Sequence, residues 1–243
     1  MKIYKGTLHF NIRWSEYMSR NKNIMLALFC IMILTSSFVS AHVPYIERSD
    51  YSEDNPMFVR KMIEKSKAFY SWLENDGENP CTDVDVFEFK IKNDPKNVYI
   101  ELIVPVIDDY YQDFVPWFAL VGPNFPIPNA ELPFDLPEGY GAIIKENVEP
   151  GAERETFYEP FGGKSYYYGP TLDMDISESG TYYIYCWDPY SQGGDYVLVI
   201  GKGEFFGPID IIRSIINTII IRRDGELHIP NDFSYEGLIL NWS

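Results

Sequence analysis

The sequence predicts an all-β fold, a two-sheet β-sandwich or jelly roll of about eight strands with a C-terminal amphipathic helix. Three stretches carry that expectation. In Ile176–Gly203, ISESGTYYIYCWDPYSQGGDYVLVIGKG, two aromatic and β-branched runs, Thr181–Trp187 and Asp195–Ile200, flank a Pro/Ser/Gly-rich connection, the pattern of a closing β-hairpin. From Asp83 onward, short apolar runs recur between turn signals. After Pro208, isoleucines recur at i, i+3 and i+4, which marks a helix face.

The chain opens with an address. Arg20 and Lys22 precede the apolar run Ile24–Leu34, and Val39-Ser40-Ala41 supplies small residues for cleavage before His42. Residues 1–41 are therefore expected to be a leader with Met18 as its start; the rival is an uncleaved anchor, for which the run is short of the ~20 residues a span needs. The expected localisation is secreted or associated with the cell envelope. His42–Pro80 reads as an extended arm and a short helix within Met57–Leu73, with Ser66–Leu73 an edge strand or helix end.

The sandwich spans 81–203. Val84–Phe89 and Val98–Val104 form its first strands, separated by Asn93-Asp94-Pro95, and Phe114–Val121 forms a third, ending at Gly122-Pro123. A proline-rich loop runs to Pro137. Gly141–Ile144, Glu155–Tyr158, Ser165–Tyr168 and Leu172–Ile176 complete the set before the hairpin. The helix occupies 204–223, too short and too interrupted by Arg213 to span a bilayer, and 224–243 reads as a flexible tail. Packing on the sandwich, lying on a membrane and pairing with another helix are its three readings.

The run Asp83-Val84-Asp85-Val86-Phe87-Glu88-Phe89, the FALVGP run at Phe118–Pro123, and Ser179-Gly180-Thr181-Tyr182-Tyr183-Ile184 followed by Gly194-Asp195-Tyr196-Val197-Leu198 together resemble the pre-peptidase C-terminal (PPC) type of secreted β-sandwich. The resemblance covers Ser66–Gly203, and the proline-rich insertion departs from it. It implies a non-catalytic accessory domain of exported proteins, some of which bind polymers or calcium.

With 36 acidic against 20 basic residues the net charge is −16, which works against nucleic-acid binding. The 46% hydrophobic and 16% aromatic content is ample for a core. No histidine falls inside the sandwich, so Ser-His-Asp and Cys-His chemistry is absent there, and no catalytic residue is assigned. A copper brace at His42 lacks its second histidine, His228 lying beyond the domain, and Gly201-Lys202-Gly203 lacks the βαβ setting of a dinucleotide loop.

The candidate ligand-binding residues are aromatic: Tyr158, Tyr166, Tyr167, Tyr168, Trp187 and Tyr190, rings that stack on sugars or grip a partner, or that fill the core. Alternation cannot send all of Tyr166–Tyr168 inward. Candidate calcium ligands are Asp83, Asp85, Asp173 and Asp175, with Asp108, Asp109 and Asp113 as a further acidic group; the competing reading is solvated strand faces, since no EF-hand spacing is present. Cys81 and Cys186 are either a disulfide worth ~4–5 kcal/mol or two small buried hydrophobes.

The function expected is an exported, non-catalytic binding domain of the cell envelope or exterior, with a surface polysaccharide or envelope protein as partner and peripheral membrane contact through residues 208–223. The alternative is a carboxylate-dependent hydrolase of envelope polysaccharide.

Overall fold

A computed structural model describes residues 42–60, 62–75, 83–92, 95–107 and 110–223. The leader, Cys81, Asp108, Asp109, His228 and the 224–243 tail lie outside them. Among the described residues, eleven strands and one α-helix form a β-sandwich.

The strands are β1 (Val43–Ile46), β2 (Met57–Phe58), β3 (Lys67–Leu73), β4 (Val84–Ile91), β5 (Lys96–Pro105), β6 (Trp117–Pro123), β7 (Tyr140–Lys145), β8 (Thr156–Glu159), β9 (Lys164–Ile176), β10 (Gly180–Trp187) and β11 (Gly194–Ile200), followed by helix α1 (Pro208–Arg223). A 3-10 turn, Tyr110–Gln112, lies between β5 and β6. One sheet runs β1-β3-β11-β5-β9-β8 and the other β2-β4-β10-β6-β7.

Period-2 alternation divides the apolar residues among three layers. Phe69, Phe87, Phe89, Leu120, Ile184 and Leu198 meet between the sheets. The opposite side chains of the first sheet, among them Tyr70, Tyr166, Val197 and Val199, gather with Ile221 of α1. Those of the second sheet, Val86, Val121, Tyr185 and Trp187, gather under Leu132, Phe134 and Leu136 of the proline-rich loop.

Three expectations change. The runs Thr181–Trp187 and Asp195–Ile200 are strands, but they do not pair as a hairpin: β10 lies between β4 and β6 in one sheet, and β11 between β3 and β5 in the other. Each is buried on both faces, so each takes the centre of a sheet, and Asp188–Gly193 arches across the sandwich. The buried Asp188 carboxylate shapes that arch by accepting from the backbone N–H groups of Tyr190, Gln192 and Gly193 at 3.0, 2.6 and 2.9 Å. Ser191 and Gly193 take positive φ within it.

Secondly, the described residues of 57–73 contain no helix. The apolar spacing there belongs to β2, paired parallel with β4, and to β3, which is interior rather than an edge because β1 and β11 flank it. Thirdly, Ser165–Tyr168 and Leu172–Ile176 are one strand, β9, whose extra residue bulges opposite Leu102 of β5. Gly169 permits this, because a Cβ there would run into the Leu102 carbonyl oxygen. Gly169→Ala is expected to cost about 1–3 kcal/mol, read as an earlier urea midpoint; an unchanged midpoint would show that the bulge tolerates a side chain.

Candidate functional site

The arm 47–56 crosses from the edge of one sheet to the edge of the other, between β1 and β2, and brings Glu47 and Asp50 beside Asp85 of β4. Carboxylate oxygens of Glu47, Asp50 and Asp85 lie within 4.8 Å of one another. Glu47 and Asp85 are buried, and Asp50 is exposed. Alternation along β4 turns Asp85 toward the layer between the sheets. There Tyr196 of β11 donates its hydroxyl to Asp85 Oδ2 at 2.5 Å, tying one sheet to the other. Glu47 Oε2 accepts from the Trp72 backbone N–H at 3.2 Å.

Burial, reinforced by the Asp85 charge, pushes the Glu47 carboxyl up to about 10. Burial likewise raises Asp85 far above the carboxylate range, against the opposing effect of the Tyr196 hydrogen bond. Two neutral carboxyls beside an ionised one is one stable arrangement; three carboxylates around a hard cation is the other, since oxygen donors suit calcium. Among the described residues no other group of three acids converges this way.

Asp50 also lines a cleft of about 850 Å³, within the range of ligand sites. Its wall is aromatic. Trp117 and Trp187 are register partners on β6 and β10 with ring centroids 6.1 Å apart, and Phe134 of the proline-rich loop meets Trp187 edge-on at 5.6 Å. Its rim is acidic: Asp50, Glu53, Asp54, Asp83, Glu131 and Asp135, with no lysine, arginine or histidine among the lining residues. A flat apolar wall beside hydroxyl-accepting carboxylates suits a sugar ring. An anionic polymer would be repelled.

The sequence candidates are divided among these places. Trp187 forms part of the cleft wall, and Tyr190 packs on Trp117 at 6.5 Å with its hydroxyl donating to Glu149 at 2.7 Å. Tyr158, Tyr166, Tyr167 and Tyr168 belong to β8 and β9 in the other sheet. Tyr166 is buried; Tyr167 packs toward the inter-sheet core with Arg154 over its ring at 4.0 Å; Tyr158 and Tyr168 are exposed.

Of the acids, Asp85 joins Glu47 and Asp50, and Asp83 lines the cleft and accepts from the Glu74 backbone N–H at 2.5 Å. Asp173 and Asp175 share Asn97 on an exposed strand face, and Lys202 pairs with Asp173 at 2.5 Å, so cation ligation there would compete with an existing salt bridge. Cys186 is a buried thiol opposite Asp85 in the β10–β4 register; the disulfide expectation lies outside the described residues with Cys81. Glu47, Asp50, Trp117 and Phe134 were missed. They come from three separate segments, the arm 47–56, β6 and the proline-rich loop, so only their residue types, not their meeting, are visible in the chain.

No family model matches the chain, and no curated protein matches it in sequence.

Proposed function

We propose that the chain is an exported, non-catalytic binding domain of the PPC-like kind, whose cleft holds a surface polysaccharide built of neutral or amino-bearing sugars. The supporting observation is the joining of a Trp117–Trp187–Phe134 wall to a rim of six acids without a compensating base. Ring faces stack on the apolar side of a pyranose, and the carboxylates accept its hydroxyls or pair with its amino groups. Calcium, for which the sequence offers Asp83, Asp85, Asp173 and Asp175 as candidate ligands, is assigned by this reading to Glu47, Asp50 and Asp85 instead.

The hydrolase reading is not favoured by a specific observation. The two strongly raised carboxyls, Glu47 and Asp85, are buried and are not among the residues that line the cleft.

Affinity electrophoresis through gels carrying a neutral glucan, chitosan or polygalacturonate tests the proposal. The protein should be retarded by the first or second and not by the third. Glu131→Gln/Asp135→Asn, on the half-buried to exposed rim, should abolish any retardation by chitosan, and Trp117→Ala should weaken binding at least tenfold, about 1.4 kcal/mol. Retardation by none of the gels, or release of new reducing ends, would overturn it.

A further inference from the structure

Helix α1 is docked with its polar edge inward. Asp210, buried, pairs with Lys65; Asn217 Nδ2 donates to the Pro44 carbonyl at 2.9 Å; Arg222 donates to the Phe161 and Pro160 carbonyls at 2.9 and 3.0 Å. Arg213 lies on the Tyr45 ring at 4.5 Å. Ile221 is the helix isoleucine buried in the fold. Ile209, Ile211, Ile212, Ile215, Ile216 and Ile219 stand 49–69% exposed. A helix resting on a water-soluble domain ordinarily presents the reverse arrangement, and rotating α1 to obtain it would break every one of those polar contacts.

A cavity of about 570 Å³ opens beside this face, with Ile209 in its lining. Arg60, Lys65, Lys67 and Arg213 also line it, with Asp210 their one acid. In a chain of charge −16 that is a local reversal of sign. Lys67 is buried, and its Nζ donates to the Met62 and Lys65 carbonyls at 2.8 and 3.0 Å, which uses two of an ammonium's three donors.

We propose that this face is a peripheral membrane-binding surface, with the isoleucines at the acyl boundary of one leaflet and the phosphate of an anionic lipid headgroup in the cavity lined by Arg60, Lys67 and Arg213. Charge complementarity selects the occupant, because the apolar stripe and the cationic cavity meet at Ile209, as acyl chain and headgroup phosphate meet in a lipid. A bilayer also covers a convex helix without needing a matching groove. The 16-residue helix lies on the bilayer; no described helix is long and apolar enough to cross one. The inference does not depend on the polysaccharide cleft.

The test is co-sedimentation of the full chain with vesicles of phosphatidylcholine alone and of phosphatidylcholine containing phosphatidylglycerol. Ile212→Ser/Ile216→Ser, at exposed positions, should keep the thermal midpoint and lower the partition coefficient at least tenfold on both vesicles. Arg60→Gln/Arg213→Gln should lower it severalfold on the anionic vesicles and leave the neutral ones unchanged. Equal partitioning of the wild type and the isoleucine variant on both vesicles overturns the proposal. So does a dimer in sedimentation equilibrium that the isoleucine variant dissolves while vesicles bind neither form, which assigns the face to a second copy.

Discussion

Raising the pH of the calcium-free protein from about 6.5 to about 8 is expected to lower its unfolding free energy by about 2 kcal/mol for each proton that Glu47 and Asp85 retain. The sign follows from where each group ionises. Both carboxyls are raised in the folded protein, Glu47 to about 10, whereas an unfolded chain ionises them near 4. Their stabilising contribution is thus complete below about pH 4 and is lost as pH climbs toward the folded values. Two other groups, one half-buried and one buried, act in the opposite direction and limit the window. His42 is lowered to about 4 by burial, so it adds stability with rising pH up to about 6.5; Lys67 is lowered to about 8, first by burial and then by Lys65, and adds stability above that. Between them the carboxyls act alone among these four. Urea titrations across the window should show the fall, and Glu47→Gln should remove that residue's share of it, about half, and stabilise the protein at pH 8. Millimolar calcium should remove the slope in the wild type if the three carboxyls hold it. A stability that rises through this window would refute neutral buried carboxyls altogether.

Asp188→Ala is expected to be at least as damaging, at about 3–5 kcal/mol. The substitution strips one fully buried acceptor from three backbone N–H groups in the arch between β10 and β11, each deprived donor costing about 1–3 kcal/mol where water does not reach it. Asp188→Asn, keeping one carbonyl oxygen, should lose about half as much. Equilibrium denaturation provides the measurement; a loss below about 1 kcal/mol would show that the arch is held by its flanking strands alone.

The strands were legible because alternation is a local property: Val84–Phe89 and Thr181–Trp187 show their two faces in the chain itself. Their pairing was not. A hairpin and an arch share one sequence pattern, two β runs around a Pro/Gly-rich connection, and differ only in whether the second strand pairs with the first or crosses to the other sheet. Lys67–Leu73 was obscured for a related reason, since burial on both faces removes the alternation and leaves an apolar run that also fits a helix. The isoleucine helix was read correctly as amphipathic, yet its orientation depends on Lys65, Pro44 and Phe161, partners remote in sequence. The same distance hid the acidic site: Asp85 stood out within its strand, while Glu47 and Asp50 looked like part of a solvated arm.

The placement of β10 and β11 bears on the order of events in folding. Each is an inner strand, β10 joining β4 to β6 and β11 joining β3 to β5, and both come from the end of the sandwich sequence. The sheet that holds β10 cannot close before Trp187 is available, nor the one that holds β11 before Ile200, so most of the chain must wait, with β3, β4, β5 and β6 missing a neighbour. Slow, late and all-or-none assembly is the outcome of pairings this distant. A nascent or truncated chain ending before Gly180 should remain protease-sensitive and prone to associate through those unfilled strand edges.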